Sequence, residues 1–352
     1  MVIMPDVYFM VMEGEAGLGD GHLGAEIGIR RRSTSISDDY SVQKTNDDAT
    51  ECKYAAIKLN YWYDNFIDHF AHAVPRRDPE ISCGYWARVA TVTSIVRQFI
   101  EKNHGQCQII SLGAGFDTLF WRLKEMNLSG FSYVEIDFSS VTAKKIRNIR
   151  KPHGEPALSS FFSNDIEESH HSDLHAGDYH LLGADLRQLN ELEQKLDTVH
   201  LDVTLPTLIL SECVFVYMVP EKSAEVVKFF AEKFPTIAFL NYEQVNVDDN
   251  FGKIMVYNLK ERGIMVPGLP VCQSLDTQKE RFTENGFTDV EAWTVLDIYR
   301  NQLSKTEVER IEGIERLDEK ELLTQLLEHY CFVYAFKDTT EEHTQLGKIQ
   351  AH

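Results

Sequence analysis

The sequence predicts an α/β protein built on a doubly wound, mostly parallel sheet. Three observations carry that expectation. Short apolar runs alternate with amphipathic helical stretches along most of the chain. The first apolar run after a long helical region ends in the tight turn Gly113-Ala114-Gly115. The next three runs close on acidic residues, Asp137, Asp185 and Glu212.

From Thr50 to Glu101 the pattern is helical: Tyr54, Ile57, Leu59, Tyr61, Trp62, Phe66, Ile67 and Phe70 fall roughly at three-to-four-residue spacing. Val74-Pro75-Arg76-Arg77 breaks it, and a second run from Tyr85 to Ile100 carries the stripe Trp86, Val89, Val92, Val96 and Phe99. Gln108 to Leu112 then reads as a buried strand, Thr118 to Met126 as a helix, Phe131 to Asp137 as a second strand and Val141 to Ile149 as a helix. Pro152 to Tyr179 is polar and rich in His, Ser and Asp, and is expected to run over the surface. His180 to Ala184 is a third strand, Pro206 to Glu212 a fourth, Glu221 to Lys233 a helix and Thr236 to Asn241 a fifth strand. Asp276 to Asn285 is helical, Phe287 to Leu296 extended, Lys320 to His329 helical and Tyr330 to Phe336 a last strand. The last two strands suit an antiparallel edge pair. Residues 1–48, rich in Gly, Ser and charge with Arg30-Arg31-Arg32 among them, read as a disordered tail. Residues 49–340 form the folded domain, with 49–105 as a helical lid, and 341–352 a frayed end.

Bulk chemistry narrows the function. The chain has 35 basic and 55 acidic side chains, a formal charge of −20, which disfavours nucleic acid or an anionic membrane as partner. The apolar run at residues 2–12 is broken by Pro5 and Asp6 and lacks a basic leader, so neither a signal peptide nor a membrane span is expected. Six cysteines lie far apart with no CxxC pair, which fits reduced thiols and no zinc site. His170-His171 sits among Ser, Glu and Asp without ligand spacing, and no metal is expected. The cytosol is the expected address.

The Gly113-Ala114-Gly115 turn after a first strand is either a plain turn or a loop that admits a nucleotide-like ligand against the backbone. Asp137, at the end of the second strand, favours the ligand reading, since a carboxylate there can accept hydrogen bonds from both ribose hydroxyls. Asp185 after the third strand is a turn former or an adenine reader. No pyrophosphate clamp follows, and Thr118 stands where the third glycine of a dinucleotide fingerprint would be. Both points tilt the choice from a nicotinamide cofactor toward S-adenosylmethionine. Tyr217 and Tyr242 lie just beyond the fourth and fifth strands, on the side where such sheets bind ligands, and are candidates for an acceptor pocket.

Six segments resemble the leucine carboxyl methyltransferases: Glu51 to Ala55, Gly84 to Val89, Ile110 to Thr118, Ser211 to Met218, Asn241 to Val245 and Gln278 to Phe282, with His329-Tyr330-Cys331 after them. They run in order from about Asp48 to Lys337. The resemblance implies a Rossmann-like class I methyltransferase with a seven-stranded sheet and a helical lid. It implies that Lys53 and Arg88 grip the methionine carboxylate of S-adenosylmethionine and that Gly113 contacts the methionine moiety through its backbone. It also implies that Asp137 binds the ribose, Asp185 and Leu186 the adenine, and that Glu212 lies near the amino group. The substrate it implies is the C-terminal leucine of the protein phosphatase 2A catalytic subunit, with S-adenosylhomocysteine as product and no metal. A monomer is expected, and Arg76-Arg77 is a candidate for acceptor recognition. Alternatives are an O-methyltransferase acting on a small molecule or another protein carboxylate, a relative that modifies a tRNA base, a NAD-dependent oxidoreductase and a non-catalytic binder. An α-carboxyl group has a pKa of about 3.3–3.7, so the acceptor is already ionised and no general base or triad is required.

Overall fold

A computed structural model describes residues 34–151, 155–318 and 320–351. The apolar run at residues 2–12 and the Arg30-Arg31-Arg32 cluster lie outside the described residues. The chain enters through α1 (Thr34–Lys58) and α2 (Pro79–Lys102), with a single 3-10 turn at Ile67–His69 between them. Pro79 opens α2 in the first helical turn, where its fixed φ is preorganised and its missing N–H goes unused. The sheet region follows as β1 (Gln108–Leu112), α3 (Leu119–Glu125), β2 (Ser132–Asp137), α4 (Ser139–Ile149), β3 (Glu167–Ser169), β4 (Asp173–Ala176) and β5 (Tyr179–Gly183). Next come α5 (Leu189–Asp197), β6 (Thr207–Glu212), α6 (Pro220–Lys233), β7 (Thr236–Gln244), α7 (Asn250–Glu261) and α8 (Leu275–Thr283). The chain closes with β8 (Asp289–Thr294), α9 (Val295–Asn301), α10 (Lys305–Glu312), α11 (Lys320–Glu328) and β9 (Tyr330–Asp338).

The strands form one sheet in the order β3-β4-β5-β2-β1-β6-β7-β9-β8. β5, β2, β1, β6 and β7 are parallel neighbours, and β9 inserts antiparallel between β7 and β8. The expected doubly wound sheet and its antiparallel closing pair are therefore present. Seven of these strands, β5 through β8 in that order, make the expected sheet, but the full sheet has nine. The extra pair, β3 and β4, is an antiparallel hairpin that extends the β5 edge. It lies inside the polar stretch read as a surface excursion. An edge hairpin needs no apolar run on both faces: Glu167, Glu168 and Ser169 are all exposed.

Two boundaries differ from the sequence reading. α1 starts at Thr34, inside the segment assigned to a tail, and its apolar residues are scattered around the helix rather than gathered on one stripe. At the other end Leu346, Ile349 and Ala351 are buried, and the Tyr334 hydroxyl donates to the Leu346 carbonyl at 2.8 Å, so the expected frayed end is docked. Helices α5, α7, α9 and α10 were also not anticipated. All six cysteines are free and buried. Among the described residues no helix is long and apolar enough to cross a membrane.

One face of the sheet packs against α2, α3, α9 and α11, the other against α5, α6 and α8. The first face holds a buried ionic cluster. Lys145 on α4 pairs with Glu135 on β2, both inaccessible to solvent, and donates to the Asp117 carbonyl at 2.8 Å. Tyr179 donates its hydroxyl to the same Glu135 carboxylate at 2.9 Å. Burial pushes the Glu135 carboxyl up to about 7 despite the Lys145 ammonium beside it. Lys145→Met strands the carboxylate and should lower the unfolding free energy by roughly 3–5 kcal/mol. Adding Glu135→Gln should recover part of that loss, and urea denaturation followed by circular dichroism measures both.

Candidate active site

The sheet's strand order reverses at β1, which lies between β2 and β6. Such a switch point opens a crevice, and the helices α1 and α2 roof it. The result is a cleft of about 1110 Å³, counting its open mouth. Its floor is the turn from Leu112 to Asp117, its flanks Asp137, Asp185 to Arg187, and Glu212 to Val214, and its roof Lys53 and Arg88.

The glycine turn is shaped by contacts a side chain would spoil. Gly113 has φ +59°, and a Cβ there would lie 2.5 Å from Val214 Cγ2. Gly115 has φ +52°, and its Cβ would meet the Asn46 side-chain oxygen at 2.4 Å. The Gly113 amide donates to the Ile136 carbonyl at 2.8 Å, which ties the turn to the end of β2. Asp137 completes that junction. One carboxylate oxygen accepts from the Gly115 amide at 2.8 Å and the other from the Phe138 amide at 2.7 Å. Burial raises the Asp137 carboxyl to about 6, although both amides favour its charged form.

Two ion pairs span the cleft from the roof. Lys53 on α1 pairs with Asp117 at the end of the glycine turn, and Arg88 on α2 pairs through Nε with Glu212 at the end of β6. Burial pushes the Asp117 carboxyl up, but Lys53, Arg122 and Lys145 together hold it below the usual carboxylate range. Arg88 is 5 % exposed, its guanidinium sits over the Tyr242 ring at 4.7 Å, and its Nη1 has no hydrogen-bond partner among the described residues. A buried cation with a spare donor next to a carboxylate suits a ligand that carries both charges.

Of the residues singled out in the sequence, Lys53, Arg88, Gly113, Asp137, Asp185, Leu186, Glu212 and Tyr217 all line this one cleft. Tyr242 does not. Its side chain is buried, stacked on Tyr330 with ring centroids 5.3 Å apart, and supports Arg88 from behind. Of the two tyrosines singled out as candidates, only Tyr217 lines the cleft. Arg76 and Arg77 also lie away from the cleft wall, paired with Glu315 and Glu51. His170 and His171 face solvent, and among the described residues no cluster of three or more His, Cys, Asp or Glu could hold a metal.

Several lining residues were missed. Asp39, Gln43 and Asn46 of α1 fell in the supposed tail. Arg187 was passed over although it follows Asp185-Leu186 directly. Its guanidinium bridges the cleft, meeting both Asp39 oxygens at 2.9 Å and Asp185 at 2.8 Å. Asn46 accepts the Phe116 amide at 2.7 Å, and Ser140 donates to Gln43 at 2.6 Å. The signal for α1 was available: Asp39, Gln43, Asn46 and Thr50 recur at helical spacing.

Gly113→Ala should strain the turn and drive its methyl into Val214. The expected cost is about 1–3 kcal/mol, read as a lower thermal midpoint in calorimetry.

Residues 41–231 match the sequence model of a family described as leucine carboxyl methyltransferase. Leucine carboxyl methyltransferase 1 of Caenorhabditis elegans is 51 % identical, covering 92 % of this chain and 99 % of that protein. The Rattus norvegicus protein of the same name is 42 % identical over 86 % of this chain and 92 % of its own length. Human tRNA wybutosine-synthesizing protein 4 is 33 % identical, but this chain spans only 45 % of it. With a Rossmann-like sheet, a cleft at its switch point and this coverage, the chain belongs to the leucine carboxyl methyltransferase family.

Proposed function

We propose that this protein transfers a methyl group from S-adenosylmethionine to the α-carboxylate of the C-terminal leucine of the protein phosphatase 2A catalytic subunit. The observation that carries the donor is the Arg88–Glu212 pair beside the Gly113 turn: a cation and an anion where an amino-acid zwitterion linked to a nucleoside would lie. The acceptor rests on the family, whose named members act on a leucine carboxyl group.

The residues fit the donor on three counts. The buried Arg88 Nη1 has no hydrogen-bond partner among the described residues, and a carboxylate would supply one. Gly113 and Gly115 line the cleft floor and present no side chain of their own there. Asp137 ends β2 on the flank of the cleft, and a carboxylate in that place can accept hydrogen bonds from ribose hydroxyls. Lys53 and Arg88 would hold the methionine carboxylate, Glu212 the ammonium, and Asp185 with Leu186 the adenine. Bound there, S-adenosylmethionine supplies a sulfonium methyl whose carbon bonds to the leucine carboxylate oxygen as the C–S bond breaks, leaving S-adenosylhomocysteine and a methyl ester.

The chain's own part is alignment and exclusion of water. A carboxylate ionised at neutral pH needs no base, and none is required of the side chains lining the cleft. Holding the reactants in near-attack geometry can supply roughly 7–11 kcal/mol of the barrier reduction. Tyr217, Cys213 and Met218 form the apolar side of the cleft beyond Glu212, a wall suited to a leucine side chain. With a net charge of −20 the enzyme gains nothing from bulk attraction to an acidic tail, so acceptor recognition rests on local contacts at the cleft.

The deciding test is transfer of labelled methyl to purified phosphatase 2A catalytic subunit with and without its terminal leucine. Base-labile label on the intact subunit alone is expected, and Arg88→Ala should lower the rate by roughly 10–100-fold. No label on either form, with S-adenosylhomocysteine still bound, refutes the acceptor. The Asp137 carboxyl near 6 sets a second expectation. The carboxylate is charged above that pH, so S-adenosylhomocysteine affinity should be full there and fall as pH drops through about 6. In Asp137→Asn that dependence should vanish, which calorimetric titration at several pH values would show.

A further inference from the structure

β7 sends its side chains alternately to the two faces of the sheet. Tyr242 and Gln244 point toward α2, whereas Glu243 points to the opposite side, toward α8 and the turn that follows β6. That turn runs from Cys213 through the 3-10 segment Phe215–Tyr217 to Met218, and it makes one wall of the cleft. It starts under strain, because Cys213 is a non-glycine residue at φ +55°. It then places Val214 against Gly113 and Tyr217 on the cleft wall.

Glu243 grips the turn from behind. Its Oε2 accepts the Val216 amide at 3.1 Å, and the carboxylate is wholly buried. Arg281 of α8 brings a guanidinium to 3.9 Å from that carboxylate and lies over the Phe215 ring at 5.3 Å. Gln278, one helical turn earlier, accepts from Arg281 at 3.3 Å and donates to the Gln244 carbonyl at 2.7 Å. Neither Glu243 nor Arg281 lines the cleft. A carboxylate and a guanidinium buried together are costly, and a well-packed apolar pair would serve stability as well or better. Two remote segments, Asn241 to Val245 and Gln278 to Phe282, thus meet at a single point behind the cleft wall.

We propose that Glu243 and Arg281 are positioning residues, which hold the Val214–Met218 turn in the shape that receives the acceptor's terminal residue. The acceptor half of this inference rests on the function proposed above. The hold on the turn does not.

Among the described residues the groups facing Glu243 are Arg281, the thiols of Cys213, Cys272 and Cys331, and the Tyr217 hydroxyl. Burial raises all three thiols and the phenol, so Arg281 is the charged one among them. Burial also moves the Glu243 carboxyl up to about 7, against the pull of Arg281 and the Val216 amide. Above that pH the carboxylate grips the turn, and below it the grip weakens. The global effect has the opposite sign: a raised carboxyl pKa costs stability as pH climbs from the unfolded value toward 7. Loosening of the turn on acidification is thus separable from loosening of the whole fold.

The test uses the full chain and amide hydrogen exchange, corrected for intrinsic rates, between about pH 8 and about pH 6. Residues 214–218 should lose protection on acidification while residues 108–112 of β1 do not. Glu243→Gln should raise exchange of 214–218 about tenfold at pH near 8 and flatten its pH dependence, as expected for loss of one charge-assisted hydrogen bond. The acceptor KM should rise by a similar factor, with S-adenosylhomocysteine affinity within about threefold of wild type. If Glu243→Gln does not fold, Glu243→Gln with Arg281→Met, which removes both charges, takes its place. Equal protection of 214–218 at both pH values in the wild-type chain overturns the proposal. So does a folded variant with unchanged exchange or KM, or one that loses cofactor affinity as steeply as acceptor affinity. Absence of transfer by the wild type would refute the acceptor assignment instead, with the exchange result still deciding the hold on the turn.

Discussion

The site depends on charge pairs carried across a cleft. Lys53 and Arg88 come from helices that precede the sheet in sequence, whereas Asp117 ends the glycine turn after β1 and Glu212 stands at the carboxyl end of β6. Neither pair would be a good device for stability alone, since removing two charges from water offsets most of their attraction. Their value is placement. A guanidinium with one face on Tyr242 and its Nε on a carboxylate has little freedom left, so its orientation at the cleft roof is fixed before any ligand arrives. The same pairs pull α1 and α2 down as a roof, which makes the roof part of the binding chemistry.

That arrangement works only because of where the sheet opens. β1 is flanked by β2 on one side and β6 on the other, and the chain crosses to opposite faces between them. The glycines at 113 and 115 let the turn after β1 lie flat enough for Val214 and Asn46 to close over it from two directions. Asp137 then locks the turn to β2 through backbone amides rather than through another side chain. Its carboxylate is therefore built into the scaffold, and its raised pKa follows from the burial this requires.

What was legible in the sequence was local. Apolar strands ending in Gly113, Asp137, Asp185 and Glu212 announce themselves by period and by the residues that stop them. The parts that stayed hidden are those decided by long-range contact. The first half of α1 has no apolar stripe because its polar residues face a polar cleft: Asp39 meets Arg187 and Asn46 meets the Phe116 amide. A helix that covers a binding site looks like a surface segment when read for hydrophobic period alone. β3 escaped for a related reason, since an edge strand with both faces in solvent carries no burial signal. The docked C-terminus depends on three small or aliphatic side chains, too few to make a pattern.

Tyr217 and Tyr242 looked equivalent in the sequence, each just past the end of a strand, and the structure separates them. β6 ends at Glu212, so Tyr217 sits in the turn beyond the sheet and lines the cleft. β7 runs on to Gln244, so Tyr242 is still inside the strand and its ring points into the α2 face. The extra length comes from β9, which pairs with β7 all the way from Thr236 to Gln244. The antiparallel closing strand therefore does more than seal the sheet. By keeping Asn241 to Gln244 extended, it sends Tyr242 to brace Arg88 on one face and Glu243 to the turn behind the cleft on the other. A two-residue period thus lets one short segment support both walls of the site while neither residue lines the cleft.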